Sequence, residues 1–439
     1  MNLPATPLPD FSDARFLRAH IADTMAFYHP RAIDPAGGFF HYFRDDGSIY
    51  DTAHRHLVSS TRFVYDHAMA AREFAGAPLA GEYLDATMHG LRYLRDVHRD
   101  PATGGYAWTL RDGVPEDRTN HAYGLAFVLL AYASARKAGV DTAAWMDETW
   151  TLLEARFWDE QAGLYRDEAD AGWHFSGYRG QNANMHLCEA LIAAHEASGQ
   201  AHWLERALLL ADHMSRRQAA RAGGLVWEHY DRDWNVDWDY HRDDPKHLFR
   251  PWGFQPGHQV EWAKLLLLLR QHLGGADAPA WLLPTARQLF DTALAHGWDD
   301  VHGGFVYGFA PESLRDGSPA RGARMADVAT SATWFCDDDK YFWVQAEAIA
   351  AAARLSAATG DPRYAAIYGR LWAYAWQHFV DHEHGAWYRI LDRRNAKYGD
   401  EKSPAGKTDY HTMGACHDVL AVMRAAHANG TDGTNGANP

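Results

Sequence analysis

A sixfold repeat restricts the fold of this chain more than any other feature of its sequence. A short segment rich in Asp, Gly and aromatic residues recurs six times: DPAGGFFHYF from Asp34, DPATGGYAW from Asp100, DEQAGLYRD from Asp159, AGGLVWEHY from Ala222, DVHGGFVYGF from Asp300 and DHEHGAWYRI from Asp381. Glycine permits the positive φ that tight turns need, and the aromatic and β-branched residues after it favour brief strands. Each segment is therefore predicted to form a turn that leads into a short extended stretch.

A helix is predicted on either side of every segment. The stretch before each segment is amphipathic and charged, whereas the stretch after it is poorer in charge and richer in Ala and Leu, which indicates deeper burial. The predicted first set spans residues 12–28, 81–98, 143–157, 201–217, 279–297 and 362–380. The predicted second set spans residues 57–75, 119–137, 182–198, 258–272, 341–359 and 410–426.

This alternation predicts an all-α fold in which six helical hairpins close into an (α/α)6 barrel. The charged helices would form an outer ring and the apolar helices an inner ring, with short β-hairpin segments and long loops at one mouth. The longest loops, 230–255 and 309–339, are predicted to be lids or subunit contacts. We expect a single catalytic domain over residues 1–428 and a disordered tail over residues 429–439.

Composition excludes several classes of protein. A formal net charge of −15 argues against a nucleic-acid partner, because phosphate binding needs a concentrated basic face. No apolar run approaches the roughly 20 residues of a membrane span, and the chain does not start like a signal peptide. Three cysteines without metal-ligand spacing fit a reducing compartment, so a cytoplasmic protein is expected. The 18 Trp and 21 Tyr must mostly fill the core, but such rings also suit sugar stacking.

Polar residues begin the predicted inner helices, although the helices behind them are apolar. A polar stripe on a buried helix requires partners or a polar cavity, and six such starts favour one shared site. The candidates are Arg62 on the first inner helix, His121 at the second, Asn182, His186 and Glu189 on the third, His258 and Glu261 on the fourth, Trp343, Gln345 and Glu347 on the fifth, and His411 on the sixth.

Several of these residues also have a structural interpretation. Arg62 is spaced to form an ion pair with Asp66 at i+4, and Glu189 and Glu347 are placed to make hydrogen bonds between helices. The acidic stretch DRDWNVDWDYHRDDP from Asp231 could suggest calcium, but it lacks the glycine and the terminal bidentate Glu of an EF-hand loop. We therefore expect no metal site.

Four motifs resemble the N-acylglucosamine 2-epimerase superfamily, particularly its branch of mannose isomerases and other aldose–ketose isomerases. They are NANMHLCEA, FRPWGFQPGHQVEWAKLL, KYFWVQAEA and GKTDYHTMGACHDVL, and the resemblance extends from about Phe11 to Ala426. It implies an (α/α)6 barrel that acts on a sugar without a metal or organic cofactor. The catalytic residues that it implies are Arg62, His186, His258, Glu261 and His411, with Trp343, Gln345 and Arg250 as further binding residues.

Two histidines suit the isomerisation that this resemblance implies. An aldose must open its ring, lose the C2 proton and receive it at C1 through a cis-enediol, which requires a base of near-neutral pKa and donors for the enediolate. We expect His411 to carry the C2 proton and His258 to open the ring and polarise the carbonyl, although these roles could be exchanged. Glu261 is expected to orient His258, while Arg62 and His186 hold O1 and O2.

Two other activities stay open at the sequence level. A sugar 2-epimerase would use similar histidines but return the proton to the opposite face of C2. A glycoside hydrolase needs two opposed carboxylates, and a carbohydrate-binding barrel needs no catalytic histidine. The resemblance favours isomerisation of D-mannose to D-fructose, with glucose, lyxose or sulfoquinovose as other substrates. The oligomeric state is open, with a homodimer as one option.

Overall fold

The computed structural model describes residues 8–315, 317–319 and 324–432, and it is mostly helical. Twelve α-helices lie within these ranges. They are α1 (Ala14–Tyr28), α2 (Leu57–Glu73), α3 (Leu79–Tyr93), α4 (Ala122–Lys137), α5 (Ala143–Leu152), α6 (Gln181–Ser198), α7 (Ala201–Asp212), α8 (Pro256–His272), α9 (Leu282–Gly297), α10 (Phe342–Thr359), α11 (Pro362–His378) and α12 (Tyr410–Asp432).

All twelve predicted helices are present, with small differences at their ends. Three of the charged helices, α3, α5 and α7, continue as short π-helices over Leu94–His98, Leu153–Phe157 and His213–Gln218, which accounts for their predicted lengths. The backbone of α12 is helical to Asp432, so residues 429–432 of the predicted tail continue this helix. Residues 433–439 lie outside the described residues.

The predicted turns and brief strands are also present. Each of the six segments has at least one glycine with a φ between +66° and +88°: Gly38, Gly104, Gly163, Gly223 and Gly224, Gly303 and Gly304, and Gly385. The described residues contain sixteen strands: Tyr42–Arg44, Ile49–Asp51, His54–His56, Thr109–Arg111, Val114–Asp117, Asn120–His121, Trp158–Asp159, Leu164–Tyr165, Glu168–Ala169, Arg179–Gly180, His229–Tyr230, Gly308–Pro311, Thr333–Asp337, Lys340–Tyr341, Ile390–Leu391 and Glu401–Ser403.

The helices form two layers. The even-numbered helices contact one another in the cyclic order α2, α4, α6, α8, α10, α12 and back to α2. Each of α3, α5, α7, α9 and α11 packs on the even-numbered helix before it, and α1 packs on α12. The even-numbered helices are therefore surrounded by neighbours, which explains why their sequences are apolar on nearly every face.

Short strands join neighbouring repeats above the N-terminal ends of the even-numbered helices. A strand that directly precedes such a helix pairs with a strand of the following repeat, and every pairing is antiparallel. The pairs are His54–His56 with Thr109–Arg111, Asn120–His121 with Glu168–Ala169, Arg179–Gly180 with His229–Tyr230, and Lys340–Tyr341 with Ile390–Leu391. The fourth and fifth repeats are joined by a bridge between Phe254 and Phe309. These strands form a collar around one end of the helices.

The sixth repeat is fastened to the first, which closes the cycle. Strand Glu401–Ser403 pairs antiparallel with Tyr42–Arg44. Beside this pair, the buried Arg389 guanidinium contacts the carboxylate of Asp409, and the Tyr28 hydroxyl donates to the same carboxylate at 2.7 Å. Because Asp409 immediately precedes α12, this contact fixes the start of the last inner helix against the first repeat.

Three amide side chains tie inner helices to the turn segments. Each is the fourth residue of its helix, and it accepts a hydrogen bond from one backbone N–H and donates to the C=O of the same residue. The pairs are Asn184 with Tyr165 (2.8 and 3.0 Å), Gln259 with Val226 (3.0 and 2.8 Å) and Gln345 with Phe305 (2.9 and 3.0 Å). Gln345 is fully buried in this arrangement and was wrongly predicted to bind substrate.

The interior of the protein is continuous. One cluster of buried apolar residues extends from Phe11 to Leu420. Cys188, Cys336 and Cys416 are buried free thiols within it, in agreement with the expected absence of a disulfide framework. Among the described residues, no helix has the length and apolar character required to cross a membrane.

We predict that Gln345→Leu destabilises the fold. The substitution leaves the buried N–H and C=O of Phe305 without side-chain partners, and each such loss costs about 1–3 kcal/mol. Urea unfolding should therefore show a fall of at least about 2 kcal/mol in the free energy of unfolding. The control is Gln200→Leu, which changes an exposed glutamine at the start of α7. Equal stability of the two variants would contradict the structural role.

Candidate active site

A cavity of about 720 Å³ opens at the N-terminal ends of the even-numbered helices, inside the strand collar. Nine of the twelve residues named as candidates for the site line it: Arg62, His121, Asn182, His186, Arg250, His258, Glu261, Trp343 and His411. Glu189, Gln345 and Glu347 are absent from this lining. The structure thus brings together residues from all six repeats, while their individual roles stay predictions.

A common helical register places these side chains. The sixth residue of α2, α6, α8 and α10 is Arg62, His186, Glu261 and Glu347, respectively. The second residue of α4, α6, α10 and α12 is Tyr123, Asn182, Trp343 and His411, respectively. Positions four apart lie on one face of a helix, so both sets point toward the axis that the inner helices share.

His411 is held as a neutral base at the cavity floor. Its Nδ1 donates to Oε1 of Glu347 at 2.7 Å, and its Nε2 lies 3.4 Å from Nη2 of Arg62. Burial lowers the pKa of His411 well below its ordinary value, and the nearby Arg62 guanidinium lowers it further. The imidazole therefore keeps a lone pair on Nε2 at neutral pH, as a general base requires.

His258 is oriented by Glu228. Its Nδ1 donates to Oε2 of Glu228 at 2.9 Å. The prediction that Glu261 orients His258 is wrong, because Glu261, although one turn away on α8, turns instead toward His186, with 3.7 Å between Oε1 and Nδ1. Glu228 comes from the segment AGGLVWEHY in the preceding strand region, and helical spacing gave no sign of it.

His186, on α6, is a third histidine of the cavity, and its ring centre lies 6.3 Å from that of His411. Its Nδ1 donates to Oε2 of Glu189 at 3.1 Å, and its ring packs against Tyr123 and Phe127. Burial lowers the pKa of His186 to about 4, so this imidazole is also neutral. Glu189 was predicted to bind substrate, but its second contact, from the Tyr410 hydroxyl, keeps it below the cavity. Glu189 therefore makes a hydrogen bond between helices, as its structural interpretation in the sequence predicted.

Glu261 is a neutral acid at the cavity floor. Its side chain is fully buried, and neither carboxyl oxygen has a hydrogen-bond partner among the described residues. Burial raises the pKa of Glu261 well above its ordinary value, and the charge of Glu347 raises it further. A protonated carboxyl group in this position can donate a hydrogen bond to an oxygen of a bound molecule.

Arg62 faces the cavity instead of pairing along its own helix. Its Nη1 donates to the carbonyl of Gly406 at 2.5 Å, and its guanidinium stacks over the rings of Phe127 and Tyr410. The ion pair with Asp66 expected from i+4 spacing is not formed. Arg62 therefore keeps a positive charge beside His411, where an oxyanion of a substrate could be stabilised.

Aromatic rings and one ion pair form the upper wall. Trp343 lies between the two histidines, with its ring centre 5.0 Å from that of His258 and 5.5 Å from that of His411. The ring of His121 packs against Trp108 at 4.0 Å. Arg250 forms an ion pair with Glu168, with 2.5 Å between Nη2 and Oε2. This pair neutralises most of the positive charge of Arg250.

The two long loops meet above this wall. Lys246 forms ion pairs with Asp338 at 2.8 Å and with Asp339 at 3.1 Å, which ties the loop before α8 to the loop before α10. Leu248 and Phe249 of the first loop are exposed and line the cavity. This position supports the interpretation of the first loop as a lid.

Two groups of donors near the cavity have the composition of a metal site. They are His186, Glu189 and Glu261, and Glu261, Glu347 and His411. However, Lys264 places its ammonium 2.6 Å from Oε2 of Glu347, while His411 engages the other oxygen. Both oxygens of the Glu347 carboxylate are therefore already engaged. This arrangement fits proton transfer better than metal binding.

Comparison with known proteins agrees with the resemblance seen in the sequence. A sequence profile described as N-acylglucosamine 2-epimerase (GlcNAc 2-epimerase) matches residues 38–415. The chain belongs to the N-acylglucosamine 2-epimerase family. Within this family, the D-mannose isomerase of Marinomonas mediterranea is 51% identical over 418 residues, which cover 94% of this chain and 99% of that protein.

Solved structures of the family have the same fold. A crystal structure of D-mannose isomerase matches with a TM-score of 0.86 at 51% identity, covering 94% of this chain and 100% of that one. Cellobiose 2-epimerase from Spirochaeta thermophila DSM 6192 matches with a TM-score of 0.77 at 22% identity, covering 96% of this chain and 100% of that one. The second match shows a shared fold alone.

We predict that Glu228→Gln perturbs His258, whereas Glu261→Gln does not. Removing the charge of Glu228 weakens the hydrogen bond that His258 Nδ1 donates, because charge-assisted bonds are about twice as strong as neutral ones. Proton–nitrogen NMR of the imidazoles should show a shifted Nδ1 signal for His258 in the first variant and an unchanged signal in the second. The opposite pattern would restore Glu261 as the orienting residue.

Proposed function

We propose that this protein is an aldose–ketose isomerase that interconverts D-mannose and D-fructose. The observation that carries the proposal is the pair of histidines, His258 and His411, each held through Nδ1 by a carboxylate and both facing one cavity. The high identity with a D-mannose isomerase over almost the whole chain supports the substrate. A binding protein would need no such pair, and a glycosidase would need two opposed carboxylates.

The cavity suits a ligand that carries many hydroxyl groups. Four side chains at the cavity have buried polar atoms that lack a hydrogen-bond partner among the described residues: Nε of Arg62, Oδ1 of Asn182, Oε1 of Glu228 and both carboxyl oxygens of Glu261. Buried polar groups without partners are costly, so a ligand that satisfies them gains affinity. The hydroxyls of a monosaccharide supply both donors and acceptors.

His411 is the proposed carbon base. Nε2 takes the proton from C2, the electron pair forms the C1=C2 bond of a cis-enediol, and the former carbonyl oxygen O1 takes a proton from the carboxyl group of Glu261. O2 then gives its proton back to Glu261 as the C2=O2 bond forms, and His411 returns the first proton to C1. Arg62, which lies beside Nε2, stabilises the negative charge on the oxygens during both steps.

His258 is proposed to open the sugar ring and polarise the carbonyl. His258 accepts the proton of the anomeric hydroxyl as the C1–O5 bond breaks, and it then gives this proton to O5. Glu228 stabilises the imidazolium that forms between the two transfers. The protonated Glu261 and the neutral His186 would hold O1 and O2. Trp343 provides an apolar face between the two histidines against which a sugar ring can stack.

We further propose a closed barrel, a single domain, a cytoplasmic location and a preference for uncharged sugars. Cyclic contacts among the even-numbered helices support a closed (α/α)6 barrel, and the continuous core supports one domain over residues 1–428. Three buried thiols support a cytoplasmic location. The ion pair between Arg250 and Glu168 favours neutral sugars over sulfoquinovose, because it removes a free cation from the cavity wall.

The direct test is incubation with D-mannose, with fructose, glucose and remaining mannose separated by chromatography. Fructose as the product of C1–C2 isomerisation would agree with the proposal. Glucose formed without fructose would identify a 2-epimerase instead, which is the activity named for the cellobiose 2-epimerase of the same fold. Release of mannose from a mannoside would identify a hydrolase.

We predict that His411→Asn and His258→Asn lose activity in different ways. His411→Asn should abolish both fructose formation and exchange of the C2 hydrogen with heavy water, while sugar binding persists. His258→Asn should lose activity on the cyclic sugar, with residual exchange from the open-chain fraction. Each loss should be at least roughly 100-fold, as is typical for a general acid–base group.

Deuterium incorporation at C1 and C2, followed by NMR, measures this difference. The control is His174→Asn, which changes an exposed histidine whose side chain is 83% accessible. Full C2 exchange in His411→Asn would exclude His411 as the carbon base, and near-normal turnover in both variants would exclude the proposed site.

We also predict that the activity needs no divalent metal. Lys264 occupies the place beside Glu347 that a cation would take, so prolonged dialysis against a chelator should leave turnover unchanged. Loss of activity that returns only when a divalent ion is added would contradict the metal-free mechanism.

A further inference from the structure

Lys264 is a buried cation directly beneath the cavity. It is the ninth residue of α8, one turn beyond Glu261, and only 5% of its surface is exposed. Its Nζ lies 2.6 Å from Oε2 of Glu347 on α10 and 3.7 Å from Oε1 of Glu189 on α6. One ammonium group thus joins carboxylates from two other inner helices.

Each of these carboxylates holds a histidine with its other oxygen. Oε1 of Glu347 accepts from Nδ1 of His411 at 2.7 Å, and Oε2 of Glu189 accepts from Nδ1 of His186 at 3.1 Å. Lys264 therefore lies at the centre of a chain that runs from one imidazole through a carboxylate, an ammonium and a second carboxylate to another imidazole. A group placed in this way can affect both histidines without touching the sugar.

The charges around Glu347 show what Lys264 does. The pKa of Glu347 is raised to about 7: burial raises it most, Lys264 lowers it, and the nearby carboxylates of Glu189 and Asp418 raise it. Burial would lower the pKa of Lys264 itself, but Glu347 and Glu189 raise it well above its ordinary value, so the ammonium stays charged.

The other groups that face this cluster are accounted for. Asp418 on α12 is paired with Arg354 on α10 at 2.5 Å, and Glu261 on α8 is a neutral acid. The hydroxyl of Tyr410 donates to Glu189, and burial raises the pKa of Tyr65 well above its ordinary value, so both phenols are uncharged. On the far side of His411, Arg62 contributes a positive charge. Lys264 is therefore the cation in direct contact with the Glu347 carboxylate.

We infer that Lys264 is a positioning residue that keeps Glu347 ionised and holds it against His411, so that the proton of His411 stays on Nδ1 and Nε2 stays free to act as the base. This inference rests on the proposed isomerase function for its kinetic test. Without the ammonium, the pKa of Glu347 rises further, so its carboxyl group takes up a proton and no longer requires the Nδ1–H of His411. The imidazole then loses its fixed tautomer and orientation. A purely structural ion pair would affect stability without this link to pH.

The test compares Lys264→Met, which keeps an unbranched side chain as far as Cε and removes the ammonium group, with Lys264→Arg, which keeps a positive charge. In Lys264→Met, kcat for mannose should fall by roughly 10- to 100-fold, as for other groups that orient a functional histidine. KM should change little, because Lys264 does not line the cavity. The acid limb of the kcat profile should move to higher pH, and Lys264→Arg should restore part of both effects.

A double-mutant cycle separates this link from general destabilisation. Once Glu347→Gln has removed the carboxylate, Lys264→Met should cost little further activity, because the two residues act through one contact. Lys137→Met is the matched control, since Lys137 forms a 2.7 Å ion pair with Glu196 near the end of α4 and should leave the pH profile unchanged. Additive losses in the cycle, or a Lys264→Met enzyme with the wild-type pH profile, would overturn the inference.

Two further measurements keep the inference testable. If Lys264→Met does not fold, Glu189→Gln removes a negative neighbour of Glu347 and should move the acid limb of the profile to lower pH, and an unchanged limb would refute the electrostatic link. Nitrogen NMR of His411 reports its tautomer without any substrate, and Lys264→Met should lose the fixed Nδ1–H signal. If the wild-type protein forms no fructose, but Lys264→Met still loses the Nδ1–H signal that the wild type shows, the proposed function is refuted and the positioning role stands.

Discussion

The N-terminal turns of six inner helices converge on a single axis, and this convergence controls both the fold and the site. Most polar side chains at these turns are buried away from bulk water. In the interior an unpaired polar group costs several kcal/mol, and an unpaired charge costs more. The protein meets this constraint with mutual pairing. His411 and His186 are held by carboxylates, the carboxylates share Lys264, and Glu261 is kept neutral by burial.

The same pairing prepares the groups for proton transfer. In a region of low dielectric constant, a neutral imidazole whose Nδ1–H is already donated to a carboxylate exposes a basic Nε2, and a nearby guanidinium can stabilise charge that forms on oxygen. Arg62 and His411 have this arrangement, with 3.4 Å between their nitrogens. Burying these charged groups costs stability, but it sets the groups in position before any sugar binds.

Residues that maintain the scaffold lie one or two positions from those that face the cavity. Gln345 is fixed to the backbone of Phe305, whereas Trp343, two residues earlier on α10, faces the cavity between the two histidines. Gln259 is likewise fixed to Val226, although it follows His258 directly. Successive residues of a helix point about 100° apart, so residues one or two positions apart face different neighbours. One can therefore face the cavity while the other holds the backbone of a turn segment. For this reason the residue type alone did not distinguish a substrate-binding amide from a structural one.

Local sequence determined the repeat, the twelve helices and the set of polar residues at the inner helix starts, because turn chemistry, helical periodicity and burial act over a few residues. Nine of the twelve candidate residues accordingly line one cavity. Only the tertiary structure decided which carboxylate serves which histidine. Glu228, which directly precedes a strand and lies 30 residues before His258, takes the place that spacing assigned to Glu261. Glu347 reaches His411 from another helix, 64 residues away. Such partners depend on how helices from different repeats face one another across the axis, and periodicity along a single helix contains no information about that.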